Sequence, residues 1–333
     1  MKKFNRILVV IFAWMLAIVF LTAGCTNKST EKSTSNTQQA PEQNSNAEIA
    51  IILKTLSNPF WVKMKEGIEE EAKSQGIKVD IYAAKSEDDL QGQLNLFEDL
   101  LNKNYKAIGI APLSPVNVIS PIVQANKKGI YVVNIDEKVD LNELKKAGGS
   151  VIAFVTTDNV KVGEKAAQYI VDQLGPEGGE VAIIEGKAGN ASGEARKEGA
   201  KKVFESAKNI KLVASQPADW DRAKALDVAT NIMQRYPNIK AFYCANDTMA
   251  LGVVQAVENA GKAGKILVVG TDGIPEAVQA VKDGKMTATV AQDPAKIGAT
   301  SLKELIKALK EKPKISPDIE PTFIAVDSQL ITK

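Results

Sequence analysis

The chain has 333 residues, with 42 Lys+Arg against 40 Asp+Glu, two cysteines and no histidine. The formal net charge of +2 argues against a dedicated nucleic-acid binder, and the missing histidine removes Ser-His-Asp and Cys-His catalysis and His-ligated zinc. Two cysteines cannot form a four-thiolate metal site, so carboxylate-based catalysis and ligand binding are the classes left open, in a chain long enough for about two domains.

Lys2, Lys3 and Arg6 precede an uncharged apolar run from Ile7 to Leu21, followed by Ala23, Gly24 and Cys25. A basic start, a short apolar core and a small-residue cleavage site describe an export signal. The run is shorter than the ~20 apolar residues of a membrane span. Ala23-Gly24-Cys25 resembles the bacterial lipoprotein signal, with residues 1–24 removed and lipid carried on Cys25; Thr22 stands where an aliphatic residue is commoner. Residues 25–47 are rich in Ser, Thr, Asn and Gln, which predicts a flexible tether. Loss of the three signal cations leaves 42 − 3 = 39 basic against 40 acidic residues, so no polybasic second membrane signal remains.

From residue 48 onward, apolar runs alternate with helical patterns. IAIIL (49–53), VDIYA (79–83), AIGIAP (107–112) and IYVVNID (130–136) are separated by helix signals over 59–75, 89–102 and 115–128. This alternation predicts βαβ units and parallel sheets. The series recurs as VAIIEG (181–186), KLVASQ (211–216), AFYCAND (241–247) and ILVVGTD (266–272). Equivalent positions lie 132 (Ile49/Val181), 134 (Ala107/Ala241) and 136 (Asp136/Asp272) residues apart, so two similar α/β lobes are expected. A further helix pattern over 295–309 and an extended tail at 323–331 lie outside the repeat. Crossings near Thr157, Gln292 and Thr322 would assign 48–157 plus 293–322 to the first lobe and 158–292 plus 323–333 to the second.

Ligands of open α/β sheets bind beyond the carboxyl ends of the strands. Those ends carry Lys54 and the Thr55–Trp61 loop, Asp136, Glu137, the stretch Gly186–Arg196 with Glu194, the stretch Gln216–Arg222 with Trp220, Asn246 and Asp272, with Gln292 where the chain crosses back. Only 5% of the chain is aromatic, yet both tryptophans outside the signal, Trp61 and Trp220, fall there with Phe60. Carboxylates and amides can chelate vicinal hydroxyls while rings stack on C–H faces, which suits a neutral sugar. Taken singly, several have a plainer reading: Asp after a strand caps a helix or turn, Asn58-Pro59 starts a turn with Pro at a helix N-terminus, and tryptophan fills cores. No phosphate-binding glycine motif is present, and Cys244 reads as a buried strand thiol.

The segments KTLSNPFW (54–61), NLFEDLLNKNYK (95–106), VNIDEK (133–138), FVTTDN (154–159), EGKAGNASGEAR (185–196), ASQPADWDR (214–222), YCANDTMA (243–250), VVGTDGIPEA (268–277) and TATVAQDP (287–294) resemble sugar-binding proteins of the ribose/galactose type, the solute receptors of ABC importers. The resemblance covers about residues 48–333. It implies the type I periplasmic-binding-protein fold, two Rossmann-like lobes joined by a three-strand hinge. It also implies a sugar site from Asn58, Phe60, Trp61, Asp136, Trp220, Asn246, Asp272 and Gln292. Glu137 and Glu194 stand where the ribose receptor carries arginine, Thr271 where it carries phenylalanine, and Lys54 replaces a small residue. These departures favour a hexose, D-allose first, with D-psicose or ribose as alternatives, and complete the expected sugar-binding set with Lys54, Glu137 and Glu194. The resemblance implies no enzyme activity, cofactor or metal. It implies a monomer, anchored outside the cell membrane by lipid on Cys25, whose partners are a monosaccharide, a permease and its ATPase subunits. A chemotaxis or signalling receptor and a carboxylate-based sugar enzyme are the rival readings.

Overall fold

A computed structural model describes residues 46–333; the signal segment, Cys25 and all but the end of the tether lie outside the described residues. Among the described residues, no helix is long and apolar enough to cross a membrane. The first lobe alternates β1 (Ile49–Leu53), α1 (Pro59–Gln75), β2 (Val79–Ala83), α2 (Leu90–Leu100), β3 (Ala107–Ile110), α3 (Ile119–Lys127), β4 (Tyr131–Ile135), α4 (Leu141–Lys146) and β5 (Ala153–Thr157). The second runs through α5 (Asn159–Leu174), β6 (Gly179–Glu185), α6 (Ala191–Ser206), β7 (Ile210–Pro217), α7 (Arg222–Arg235), β8 (Ile239–Cys244), α8 (Asp247–Asn259), β9 (Leu267–Asp272), α9 (Pro275–Lys282) and β10 (Ala288–Ala291). The chain then adds α10 (Pro294–Glu311), β11 (Thr322–Val326) and β12 (Gln329–Thr332).

Two six-stranded sheets result, ordered β11-β5-β4-β3-β1-β2 and β12-β10-β9-β8-β6-β7. All pairings are parallel except that of β10 with β12. Strands such as β1 and β3 are buried on both faces, as their unbroken apolar runs require when helices cover each side. In each sheet the order reverses beside the first strand, β1 or β6, which opens a crevice at the carboxyl ends there. Asp136 follows β4 and Asp272 ends β9, equivalent strands of the two sheets.

The chain crosses between lobes after β5, after β10 and between β11 and β12. The first two crossings fall at Thr157 and Gln292, but the third does not fall at Thr322. β11 pairs with β5 from Thr322↔Ala153 to Val326↔Thr157, so the first lobe extends to Val326 and the crossing lies at Asp327-Ser328. The sequence reads as one extended tail because both halves are edge strands with an open face; Phe323 is 61% exposed. Lys165 of α5 fixes the crossing by donating to the Ser328 carbonyl at 2.6 Å. The other end of the fold also begins slightly earlier than residue 48, since Ala47 is buried in the first-lobe core.

Close helix packing sets the backbone behind the cleft. A Cβ on Gly199 would meet the Val160 carbonyl at 2.1 Å, and one on Gly163 the Arg196 carbonyl at 2.0 Å. Glycine at both positions lets α5 and α6 touch backbone to backbone, and this contact carries Arg196 to the lobe boundary.

Candidate functional site

The carboxyl ends of both sheets meet in a narrow cleft whose cavity volume is about 30 Å³. Lys54, Asn58, Phe60, Trp61, Glu87 and Asp136 line it from the first lobe, and Ser192, Arg196, Trp220, Asn246 and Asp272 from the second. Phe60 and Trp61 pack edge to face with centroids 5.0 Å apart, and Trp61 Nε1 donates to Glu87 at 3.0 Å. On the opposite wall, Trp220 lies against Gly186, where a Cβ would meet the ring at 2.1 Å. The Arg196 guanidinium sits 5.8 Å from the Trp220 ring centre.

Asn58 and Asn246 both line the cleft and both cap helices. Asn58 Oδ1 caps α1 by accepting from Phe60 N at 3.0 Å, and Asn246 Oδ1 caps α8 by accepting from Met249 N at 2.8 Å. The cap uses the carbonyl oxygen of each amide, so the group each offers the cleft is its NH₂ donor.

Two aspartates define the floor. Asp136 (φ 58°), Asp219 (φ 53°), Trp220 (φ 65°) and Asp272 (φ 121°) are four of the five non-glycine residues with positive φ among the described residues, and all lie at this cleft or in the loop that carries Trp220. Such conformations cost about 1–3 kcal/mol each and persist where the surroundings impose them. Around Asp136, Thr156 Oγ1 donates to its carbonyl at 2.7 Å and its N–H donates to Val155 O at 2.7 Å. Buried Asn134 ties the same loop by donating to the Glu137 carbonyl at 2.6 Å and accepting from Val139 N at 2.9 Å. Beyond Asp272, the carboxylate of buried Asp247 accepts from Gly273 N at 2.7 Å, Ile274 N at 3.0 Å and Thr289 Oγ1 at 2.7 Å.

Three buried side-chain atoms among the described residues have no hydrogen-bond partner: Asp136 Oδ1, Thr157 Oγ1 and Gln292 Oε1. All belong to the cleft or its crossings. Gln292 reaches the site from the second crossing by donating Nε2 to Asp272 Oδ1 at 2.6 Å, and Arg196 approaches the same oxygen at 3.5 Å. Burial pushes the Asp136 carboxyl up to about 7; Lys54 and Arg196 oppose that rise, while Glu137 and Asp272 add to it. Burial likewise pushes Asp272 up to about 6 against the pull of Arg196 and Gln292. Burial also works against the charge on Lys54, but Glu137, Glu87 and Asp136 outweigh it and hold its pKa above the usual lysine range. The cleft therefore holds buried acceptors and charge-assisted donors in one place, with aromatic rings on two sides.

Three of the expected residues do not line this space: Gln292 stands behind Asp272 and lines a neighbouring pocket, and Glu137 and Glu194 are engaged elsewhere. Glu137 is fully buried, and its carboxylate is taken up by Lys54 Nζ at 3.0 Å, Ser192 Oγ at 2.9 Å, Ser192 N at 3.2 Å and Ala191 N. Glu194 turns outward, accepting from Gly189 N at 3.1 Å and pairing with Lys197. Arg196, Glu87 and Ser192 line the cleft in addition to the expected set. Arg196 closes the strand-end stretch 186–196 read from the sequence but is not in the expected sugar-binding set. Nothing local in the sequence marks Glu87 or the supports Asn134 and Thr156, and Ser192 falls within the strand-end stretch 186–196 without being singled out.

A family model described as a periplasmic binding protein domain matches residues 49–313. The chain belongs to the periplasmic binding protein family. The D-allose-binding periplasmic protein of Escherichia coli K12 is 68% identical over 287 residues, covering 86% of this chain and 92% of that protein. The ribose import binding protein of Bacillus subtilis 168 is 39% identical over 250 residues, covering 75% and 77%. An ABC transporter solute-binding protein from Actinobacillus succinogenes 130z, with bound D-allose, superposes with a TM-score of 0.80 at 38% identity, covering 86% of this chain and 97% of that one. The two lobes are thus those of the type I periplasmic-binding-protein fold.

An opening and shutting of this cleft would carry a pH signature. A solvated aspartate titrates near ~3.9, whereas Asp136 in the closed cleft is held at about 7. The closed form of the free protein then binds more protons than the open form, so acid favours closure. The contribution is full below about pH 4 and is lost as the pH rises through about 7; Asp272 acts in the same sense over a narrower window. Small-angle scattering of the free protein is expected to give a smaller radius of gyration at about pH 5 than at about pH 8. Asp136→Asn should remove most of that difference, and a radius independent of pH contradicts the assignment.

Proposed function

We propose that this protein is the extracytoplasmic sugar receptor of an ABC importer and that D-allose is its ligand. The observation that carries the reading is the pair of buried, unpartnered acceptors, Asp136 Oδ1 and Gln292 Oε1, beside a cleft walled by Phe60 and Trp61 on one side and Trp220 on the other. A neutral sugar supplies hydroxyl donors for the carboxylate and the amide oxygen and an apolar C–H face for each ring. Lys54, Arg196 and the amide NH₂ groups of Asn58 and Asn246 donate to hydroxyl oxygens in return. The choice of D-allose is supported by the identity to the D-allose-binding protein of E. coli and by the likeness to a structure holding that sugar.

The sugar meets one lobe first, and the second lobe then folds onto it about the three crossings, because only the closed form makes both sets of contacts. Closure removes water, so each hydroxyl must find a partner inside. Epimers differ only in hydroxyl direction, and a misdirected hydroxyl leaves a buried group unpaired, which gives selectivity. The closed shape is what a permease with its ATPase subunits would accept. The receptor itself works as a monomer and changes no covalent bond in the sugar. Lipid on Cys25, after removal of residues 1–24, would hold it at the outer face of the cell membrane through the segment 25–47.

Titration calorimetry is expected to show D-allose binding one-to-one, with Asp136→Ala weakening it at least roughly tenfold, the scale of one lost buried hydrogen bond. Heat from ribose or D-psicose but not from D-allose would reassign the ligand, and no heat from any monosaccharide would refute the receptor reading. The anchor is tested separately: Cys25→Ser should move the protein from the membrane fraction to the soluble extracytoplasmic fraction, and continued membrane association contradicts lipidation at that residue.

A further inference from the structure

We infer that Glu137 is a closure latch: it joins the two lobes without touching sugar and sets how tightly every ligand is held, not which ligand is chosen. Glu137 follows β4 in the first lobe, while Ala191 and Ser192 open α6 in the second. The leading amides of a helix have no partner within it. Here the Asn190 side chain caps Gly193 N, which leaves the amides of Ala191 and Ser192 to be satisfied elsewhere. Both donate to Glu137 Oε1, the Ser192 amide at 3.2 Å. Ser192 Oγ and Lys54 Nζ donate to Oε2 at 2.9 and 3.0 Å.

Three N–H donors surround the carboxylate with the Ser192 hydroxyl, whose one hydrogen is shared with Asn190 Oδ1 at 2.8 Å; the carboxylate is fully buried and does not line the cleft, so it is not placed to meet a sugar hydroxyl. A carboxylate on a helix N-terminus is also favoured by the helix dipole, and its hydrogen bonds are charge-assisted. The contact spans both lobes and can exist only when they are shut. It lies directly behind the cleft, because Lys54 and Ser192 are themselves lining residues. Lys187 of the second lobe makes a further bridge at the rim, to Asp88 and to the Glu87 carbonyl at 3.3 Å.

A contact that favours closure equally for all ligands raises the population of the binding-competent form. It therefore multiplies every affinity by one factor. This part of the inference rests on the sugar-receptor reading; the existence of the latch does not.

Two variants separate the latch from a sugar contact. Glu137→Ala removes the acceptor. Ala191→Pro removes one donor from the other lobe and leaves the Lys54–Glu137 pair intact. Proline is well tolerated at the first position of a helix, and Asn190 (φ −82°, ψ 121°) already has the extended backbone that precedes proline. Calorimetry with D-allose and with a second, weaker-binding monosaccharide is expected to show both sugars weakened by the same factor in each variant, on the order of tenfold. Unchanged affinities, or a shift in the ratio between the two sugars in Ala191→Pro, overturns the proposal. Hydrogen exchange tests the latch without any sugar: at about pH 5, where the free protein is expected to be shut, the Ser192 amide should exchange faster in Glu137→Ala than in the unaltered full chain, and equal rates overturn it. If the unaltered chain gives no heat with any sugar, the receptor reading fails while the exchange experiment still decides the latch.

Discussion

Asp136 and Asp272 carry carboxyl groups into a space that is nearly dry when the lobes are shut. Removing a carboxylate from water costs several kcal/mol unless donors replace the water. The protein supplies Asp272 with Gln292 and Arg196 but leaves Asp136 Oδ1 with nothing, and the pKa values of both groups rise accordingly. A closed cleft of this kind is under-satisfied by design of its own geometry. A ligand with several hydroxyls converts that deficit into binding free energy, and one lacking a hydroxyl at the right place leaves it standing.

The rest of the fold serves to hold that deficit in place. Each aspartate ends an equivalent strand, and the positive φ that turns it inward is imposed by buried polar residues: Asn134 and Thr156 behind Asp136, and Asp247 and Thr289 behind Asp272. The Gly163–Gly199 contact sets the depth of Arg196, and Gly186 gives Trp220 its seat. Division of labour follows along the chain. Asp136 faces the cleft, while its neighbour Glu137 points away from it and binds the opposite lobe. On the two readings proposed above, one short loop after β4 would carry both the selective and the unselective part of closure.

Much of this was legible in the sequence, for physical reasons. Apolar runs at a constant offset announce two repeats, and the carboxyl end of a strand is where an α/β sheet receives a ligand, so Asp136, Asp272, Asn246 and Trp220 could be placed without coordinates. Direction was not legible. Asp136 and Glu137 are adjacent, and the positive φ between them decides which one enters the cleft. Glu194 and Arg196 lie two positions apart on α6, about 200° around the helix, so one must face inward and the other solvent. Composition could not say which. The third crossing was misplaced by a few residues because two edge strands of different sheets follow each other in one extended run. The supporting residues Asn134 and Thr156 were invisible because their partners are backbone groups brought near only by the fold.

The measurement that bears most directly on this account is a crystal structure of the protein with D-allose. The account predicts one sugar ring between Phe60 and Trp61 on one side and Trp220 on the other. Its hydroxyls would lie within hydrogen-bond distance of Asp136 Oδ1 and Asp272, with the Glu137 carboxylate still on the first turn of α6. A sugar bound elsewhere, or one whose hydroxyls meet Glu137 while Asp136 remains unpartnered, would contradict it.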